Sequence, residues 1–266
     1  MLSFDAAFGS HAGVALYSLI ASNPSRRFSV SLLSSGMPDE QRARFEALGD
    51  APNLRLAVHE VDKRRWASLP STPRITAATY NRFLLPALLG AGVRKVLYLD
   101  CDLVVNGGVG SLWDMDVDSV IAAACTDIGA HRSRHAALSL SSTHRYFNAG
   151  VLLINLAAWK RERVSERALE FLETRPEDAV YHDQDALNVC AQNRVAYLSC
   201  IWNFMPFLRN TQLQPDFDAI RVGALKPVIV HYAGPVKPWN LPRETNPFVR
   251  LYWDWRRRSP WAHVPL

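Results

Sequence analysis

Short apolar runs recur along this chain, separated by stretches with helical spacing, and several end abruptly on an acid, an amide or a histidine. Runs of about four to eight such residues are too short for stable helices and read as buried strands. Leu2–Asp5, Phe28–Leu33, Leu54–Val61, Lys95–Leu99, Val120–Cys125, Val151–Ile154 and Val228–His231 fit that description. Between them, Ala12, Leu16 and Leu19/Ile20 fall at helical spacing until Asn23-Pro24. Asp39–Leu48 and Ser165–Glu173 have the same period, and Thr76–Leu89 is helical in outline despite Pro86. The alternation predicts an α/β chain with a mostly parallel sheet flanked by helices on both faces.

Composition narrows the class further. With 48% hydrophobic and 21% charged residues in 266, the chain is neither disordered nor fibrous. Its longest apolar stretch, Phe147–Trp159, is broken by Asn148, Gly150 and Asn155, so no membrane-spanning helix is expected. The N-terminus has no basic n-region or cleavage site, and Cys101, Cys125, Cys190 and Cys200 have no CxxC or zinc spacing. A cytoplasmic protein with reduced thiols is the expectation. The pI near 9.2 comes from scattered Lys and Arg with no reading module, so no nucleic-acid partner is expected. Residues 1–242 read as one domain and 243–266 as a basic, Trp-rich tail, with five Arg against Glu244 and Asp254. The tail is expected to pack as an amphipathic helix through its Trp and Leu residues, with Arg256 to Arg258 in water. The alternative is peripheral contact with an anionic membrane face.

In open α/β sheets, ligands bind beyond the carboxyl ends of strands. Asp100-Cys101-Asp102 follows KVLYL, and alternation along an extended chain turns both carboxylates to one side. Adjacent carboxylates repel, and a divalent cation relieves the repulsion; turn or capping aspartates are the alternative. His231 ends the last strand, and HYAGPVKPW then supplies Gly234 for close backbone approach and Lys237 as a point charge suited to phosphate. His231 could complete the cation site, and imidazole beside carboxylates favours manganese over calcium. In YHDQDALN, Asp183 and Gln184 taken alone read as a helix cap, and His182 as a surface residue. In YFNAGVLLIN, Asn148 and Gly150 mark either a β-bulge or a backbone approached closely by a ligand.

Together, YLDCDLVV, FNAGVLLIN, DQDALN and HYAGPVKPW resemble, in order, the signatures of the family 8 retaining glycosyltransferases. The resemblance runs from Phe4-Asp5 to Trp239 and is greatest to the bacterial lipopolysaccharide galactosyl- and glucosyltransferases. It implies a nucleotide-sugar transferase (GT-A type) fold with a central mixed sheet. It also implies a UDP-galactose or UDP-glucose donor, a saccharide or glycolipid acceptor such as a lipopolysaccharide precursor, and Mn2+, with Mg2+ as a substitute. By the same resemblance, Asp100, Asp102 and His231 match the metal ligands, Asp100 also touching the donor. Gly234 and Lys237 match diphosphate contacts, Arg82 in TYNR an arginine near the donor, and Asp5 a uridine-site acid. Asn148, Asp127, Asp183 and Gln184 match residues around the transferred sugar, the last two as the catalytic pair. Gln184 would stabilise a cationic sugar during front-face attack while Asp183 orients the donor. Sugar and acceptor choice would lie in Ile128–Tyr146 and Phe204–Ala224.

The chain departs from the pattern in places. Asp5-Ala6-Ala7-Phe8 replaces Asp-x-Asn-Tyr, removing an amide and a phenol hydroxyl near the nucleobase. Arg74 replaces a histidine, and Ala233 stands where some members have cysteine. The first strand is very short, consistent with a start upstream of Met1. Two rival readings remain at this stage: a metal-dependent phosphohydrolase using the Asp-x-Asp, and a non-catalytic UDP-sugar binder.

Overall fold

The computed structural model describes residues 1–72, 75–207 and 216–265, apart from the side chains at 131 and 132. Arg74 and residues 208–215 of the Phe204–Ala224 stretch lie outside the described residues. A seven-stranded sheet runs in the order β3-β2-β1-β4-β7-β6-β8. Its strands are β1 (Leu2–Asp5), β2 (Phe28–Ser35), β3 (Leu54–Glu60), β4 (Lys95–Leu99), β6 (Ala122–Thr126), β7 (Phe147–Asn155) and β8 (Val195–Tyr197). Four pairings are parallel and the two made by β7 are antiparallel, giving a mixed, mostly parallel sheet. Alternate residues of β7 explain its unbroken apolar run. Val151 and Leu153 enter the core on one face, and Leu152 and Ile154 enter the core on the other.

From β1 the chain crosses to β2 and β3 on one side, then returns past β1 to β4 on the other. The strand order therefore reverses between β1 and β4, where Asp5 and Asp100 emerge. A cleft at such a reversal is where this class of sheet binds ligands. A second, two-stranded ribbon joins β5 (Leu103–Val105) to β9 (Ile229–His231) antiparallel, pairing Leu103 with His231. At the opposite end, β1 reaches only Leu32 of β2, and a cleft of about 820 Å³ opens between β2 and β4 over Leu2, Val30 and Leu97.

The segment read as helical over Thr76–Leu89 is instead a 3-10 helix over Ala77–Leu84, followed by one α-turn at Leu85–Leu88. Pro86 has no N–H and its ring would strike the carbonyl four residues back, so an α-helix cannot run through it. Asn148 and Gly150 do lie in a bulge of β7: between the Ala124–Leu152 and Thr126–Phe147 pairs, β6 has Cys125 alone while β7 runs through Asn148, Ala149, Gly150 and Val151.

Helices α1 (Gly9–Ala21) and α2 (Asp39–Gly49) cover one face, and α3 (Val164–Thr174) and α4 (Asp183–Cys190) the other. The last helix, α5 (Pro247–Arg258), starts at Asn246, whose side chain accepts from the Phe248 and Val249 amides, with Pro247 in the first turn. It packs on α1 through Tyr252, which meets His11, and Trp255, which meets Tyr17. Arg256, expected in water, is buried and donates to the Val264 carbonyl, while Arg257 and Arg258 are exposed. Trp261 is fully buried, 4.9 Å from the ring of Phe45, and lies where a Cβ on Gly13 would come within 2.2 Å. Trp261→Ala should cost about 3–5 kcal/mol, the usual penalty for emptying a buried indole site. Urea denaturation with a wild-type midpoint would make this segment peripheral to the core.

Candidate functional site

Asp5, Arg82, Asp100, Asp102, Asp127, Asn148, Asp183, Gln184, His231, Gly234 and Lys237 all line one cleft of about 500 Å³ beyond the β1 and β4 ends. The gathering follows from pairing. The Asp100 amide donates to the Gly150 carbonyl, joining the end of β4 to β7, and the Tyr232 amide donates to the Asp102 carbonyl beside the ribbon. Backbone hydrogen bonds thus pin the chain on either side of Cys101, to β7 before it and to the end of β9, more than a hundred residues on, after it.

One end of the cleft is anionic. Asp100, Asp102 and His231 each offer one ligand atom, all within 4.8 Å of one another. His231 Nε2 lies 3.2 Å from Asp102 Oδ1 and 3.8 Å from Asp100 Oδ2. Gly150 makes the approach feasible: a Cβ there would sit 2.2 Å from His231 Cε1 and 2.8 Å from Asp100 Oδ2. This is the close approach that its place in β7 raised as one alternative, except that side chains of the chain itself abut it. Burial favours a neutral Asp102, but Lys237 and His231 overcome that and hold its carboxyl well below the usual range. Lys237 Nζ pairs with Asp102 Oδ2 at 2.5 Å and also donates to the Tyr232 carbonyl. Gly234 has φ +89°, a left-handed conformation that a side chain resists.

The other end is built from amides. Gln184 Oε1 accepts from the Ala149 amide at 3.0 Å and from Asn148 Nδ2 at 3.1 Å. Its Nε2 donates to Asp127 Oδ2 at 3.0 Å and to the Tyr146 hydroxyl at 3.2 Å. Asp127 Oδ1 is held by the Gly129 and Ala130 amides. At the β1 end, Asp5 Oδ1 accepts from the Ala7 and Phe8 amides, so the short first loop is capped by its own acid.

Between the two ends lies Arg82, 2% exposed. It reaches Asp100 Oδ1 and Asp183 Oδ2, each at 3.0 Å, and donates to the Ala149 carbonyl and the Tyr98 hydroxyl. The 3-10 geometry of Ala77–Leu84 eclipses residues three apart, which sets Thr79 beside Arg82, and both engage Asp183. Burial pushes the Asp183 carboxyl up to about 6 against the pull of Arg82 and Thr79.

Two local expectations change here. Asp183 does not cap α4: the residue before that helix, His182, makes no side-chain cap, and the Asp183 carboxylate serves Thr79 and Arg82. His182 is no surface residue either; it is 3% exposed, stacked on Tyr80, with φ 47° and ψ −116°. A non-glycine residue in that conformation is strained, and strain of this kind persists where surrounding structure enforces it. Tyr146 and Asn203 were missed. Tyr146 opens the YFNAG segment, and Asn203 sits in an apolar run, CIWNF, where a lone amide is the only signal.

A family model described as glycosyl transferase family 8 matches residues 1–241. The lipopolysaccharide 1,3-galactosyltransferase of Salmonella typhimurium is 31% identical over 96% of this chain and 76% of its own length. The lipopolysaccharide glucosyltransferase WaaO of Escherichia coli is 29% identical over 100% and 81%. Among solved structures, galactosyltransferase LgtC in complex with donor and acceptor sugar analogues superposes with a TM-score of 0.84 at 28% identity, covering 99% of this chain and 96% of LgtC. The fold is of the GT-A type that these share.

Removing one partner of a buried ion pair leaves uncompensated charge. Arg82→Met should therefore destabilise the protein by about 3–5 kcal/mol in chemical denaturation, since both Asp100 and Asp183 lose their counter-charge. An unchanged midpoint would show that neither carboxylate depends on the guanidinium.

Proposed function

Because the chain belongs to glycosyl transferase family 8, we propose that it transfers galactose or glucose from a UDP-sugar to a saccharide acceptor with retention, the acceptor being a lipopolysaccharide or related surface-glycan precursor. The observation that carries this reading is the single cleft with an Asp–Asp–His cluster at one end and a fully hydrogen-bonded amide cluster at the other. The named activities of the relatives support the hexose and acceptor classes. Peripheral membrane contact through the exposed Arg257 and Arg258 face belongs to the same proposal; no helix among the described residues is long and apolar enough to cross a membrane.

Two carboxylates and an imidazole, able to converge because Gly150 has no side chain to part them, fit a borderline divalent cation, manganese ahead of calcium. Such an ion, with Asp100, Asp102 and His231 to hold it, supplies positive charge where the leaving diphosphate becomes negative. The chain's own residues do the rest. Lys237 exchanges Asp102 for a diphosphate oxygen, and Gly234 lets the backbone come close. Asp183, fixed by Arg82 and Thr79, orients the donor sugar.

Gln184 bears on the route to retention. Both acceptor positions and both donor hydrogens of its amide are already engaged within the protein. A group pinned in this way is a fixed dipole and a poor nucleophile. The preorganised dipole stabilises positive charge on the sugar, and the acceptor attacks on the leaving-group face, its proton passing to the departing phosphate. In LgtC a glutamine-to-glutamate variant is described as an active-site mutant, which agrees with a glutamine working at such a site.

Incubation with UDP-hexoses and manganese, following UDP release with and without oligosaccharide acceptors, tests the reading. Acceptor-dependent UDP release with a retained anomer is expected. Phosphate release from simple esters would favour the phosphohydrolase, and UDP binding without turnover the non-catalytic binder. Gln184→Ala should lower kcat about 100-fold, in line with loss of one preorganised dipole, with UDP affinity unchanged; equal losses in both would return Gln184 to a binding role. His231→Ala should weaken manganese-dependent UDP binding about 10–100-fold in calorimetry, and wild-type behaviour would remove His231 from the cation site.

A further inference from the structure

The amide of Asn203 is fully buried between the two ends of the cleft. It reaches that place because Phe204, its neighbour, bridges to Val230 of β9, one residue before His231. Its Nδ2 lies 2.9 Å from Asn148 Oδ1, and its Oδ1 lies 2.9 Å from His231 Nδ1.

The directions of these hydrogen bonds are fixed from one end. The Gly150 backbone amide can only donate, so the Asn148 atom facing it at 3.0 Å is the carbonyl oxygen. The Asn203 atom facing that same oxygen must then be its NH2 group, which turns the Asn203 carbonyl oxygen toward His231. An oxygen with no hydrogen requires a donor opposite it, so His231 Nδ1 carries the proton. Nε2 is thereby the ring nitrogen left to face Asp100 and Asp102. Asn148 Nδ2, meanwhile, donates to Asp127 and to Gln184 Oε1. One unbroken chain of side-chain hydrogen bonds thus runs from the anionic end of the cleft to Gln184.

We propose that Asn203 is a positioning residue that sets the His231 tautomer for a cation at Nε2 and ties the ring to the sugar-facing amides of Asn148 and Gln184. This rests on the reading of Asp100, Asp102 and His231 as a cation site. Outer partners of ligating histidines act in this manner, fixing the tautomer and ring orientation.

Asn203→Leu removes both hydrogen bonds at similar volume, and Asn203→Asp keeps the acceptor for His231 while losing the donor to Asn148. Manganese affinity in the presence of UDP, measured by calorimetry, should fall about 10–100-fold in Asn203→Leu and stay within threefold of wild type in Asn203→Asp, which should instead lose turnover. Manganese affinity in a folded Asn203→Leu equal to wild type overturns the inference. If His231→Ala also binds manganese normally, the cation reading itself has failed; if His231→Ala is weak and Asn203→Leu is not, only the present inference has. Should Asn203→Leu not fold, long-range proton–nitrogen NMR of histidine-labelled wild type with magnesium and UDP decides, His231→Ala assigning the signal. A hydrogen on His231 Nδ1 is expected, and its absence overturns the inference.

Discussion

A single buried guanidinium holds the two ends of the cleft in register. Arg82 touches Asp100 of the Asp–Asp–His cluster and Asp183 beside Gln184, with the Ala149 carbonyl of β7 between them. Burying a charge costs several kcal/mol, and a buried ion pair seldom repays that in stability alone. What it provides here is geometry. The planar fork also lies over the Tyr98 ring at 4.1 Å, so the guanidinium has one available orientation. A lysine would carry the charge without the fork. The raised Asp183 carboxyl shows how finely the balance is set, since burial outweighs even this partner.

Around that centre, strand pairing decides which residues meet. β4 ends at the reversal in the sheet, β7 enters antiparallel beside it, and the β5–β9 ribbon delivers His231 across from Leu103. Backbone hydrogen bonds fix the register of each pair, so the side chains inherit their positions from the sheet. The helix faces follow suit. Thr79 and Arg82 share a side through 3-10 geometry, and the strained His182 turns the start of α4 so that Asp183 and Gln184 face the cleft.

Six of the sheet's seven strands were legible because they are compact apolar runs, and the cleft because polar residues follow those runs directly; β8 is only three residues, Val195–Tyr197, and escaped. What escaped depends on contacts between distant residues. β5 is three residues long and follows Asp102 with no turn signal, so only its partner β9 defines it. The tight 3-10 winding before Pro86 has the same apolar pattern as an α-helix in outline. His182 looks solvent-facing beside Asp183 until Tyr80 covers it. Arg256 reads as part of an exposed basic triplet, but the Val264 carbonyl folds back to meet it in the interior. Asn203 has no local pattern at all; its meaning lies in which atoms face it.

The central claim is that His231 and a UDP diphosphate share one cation with Asp100 and Asp102. Pulsed electron paramagnetic resonance of the protein loaded with manganese and UDP reads this directly, because nearby nuclei modulate the metal's signal. The account predicts nitrogen coupling from an imidazole and phosphorus coupling from UDP on the same ion. A manganese signal coupled to phosphorus but to no histidine nitrogen would contradict it.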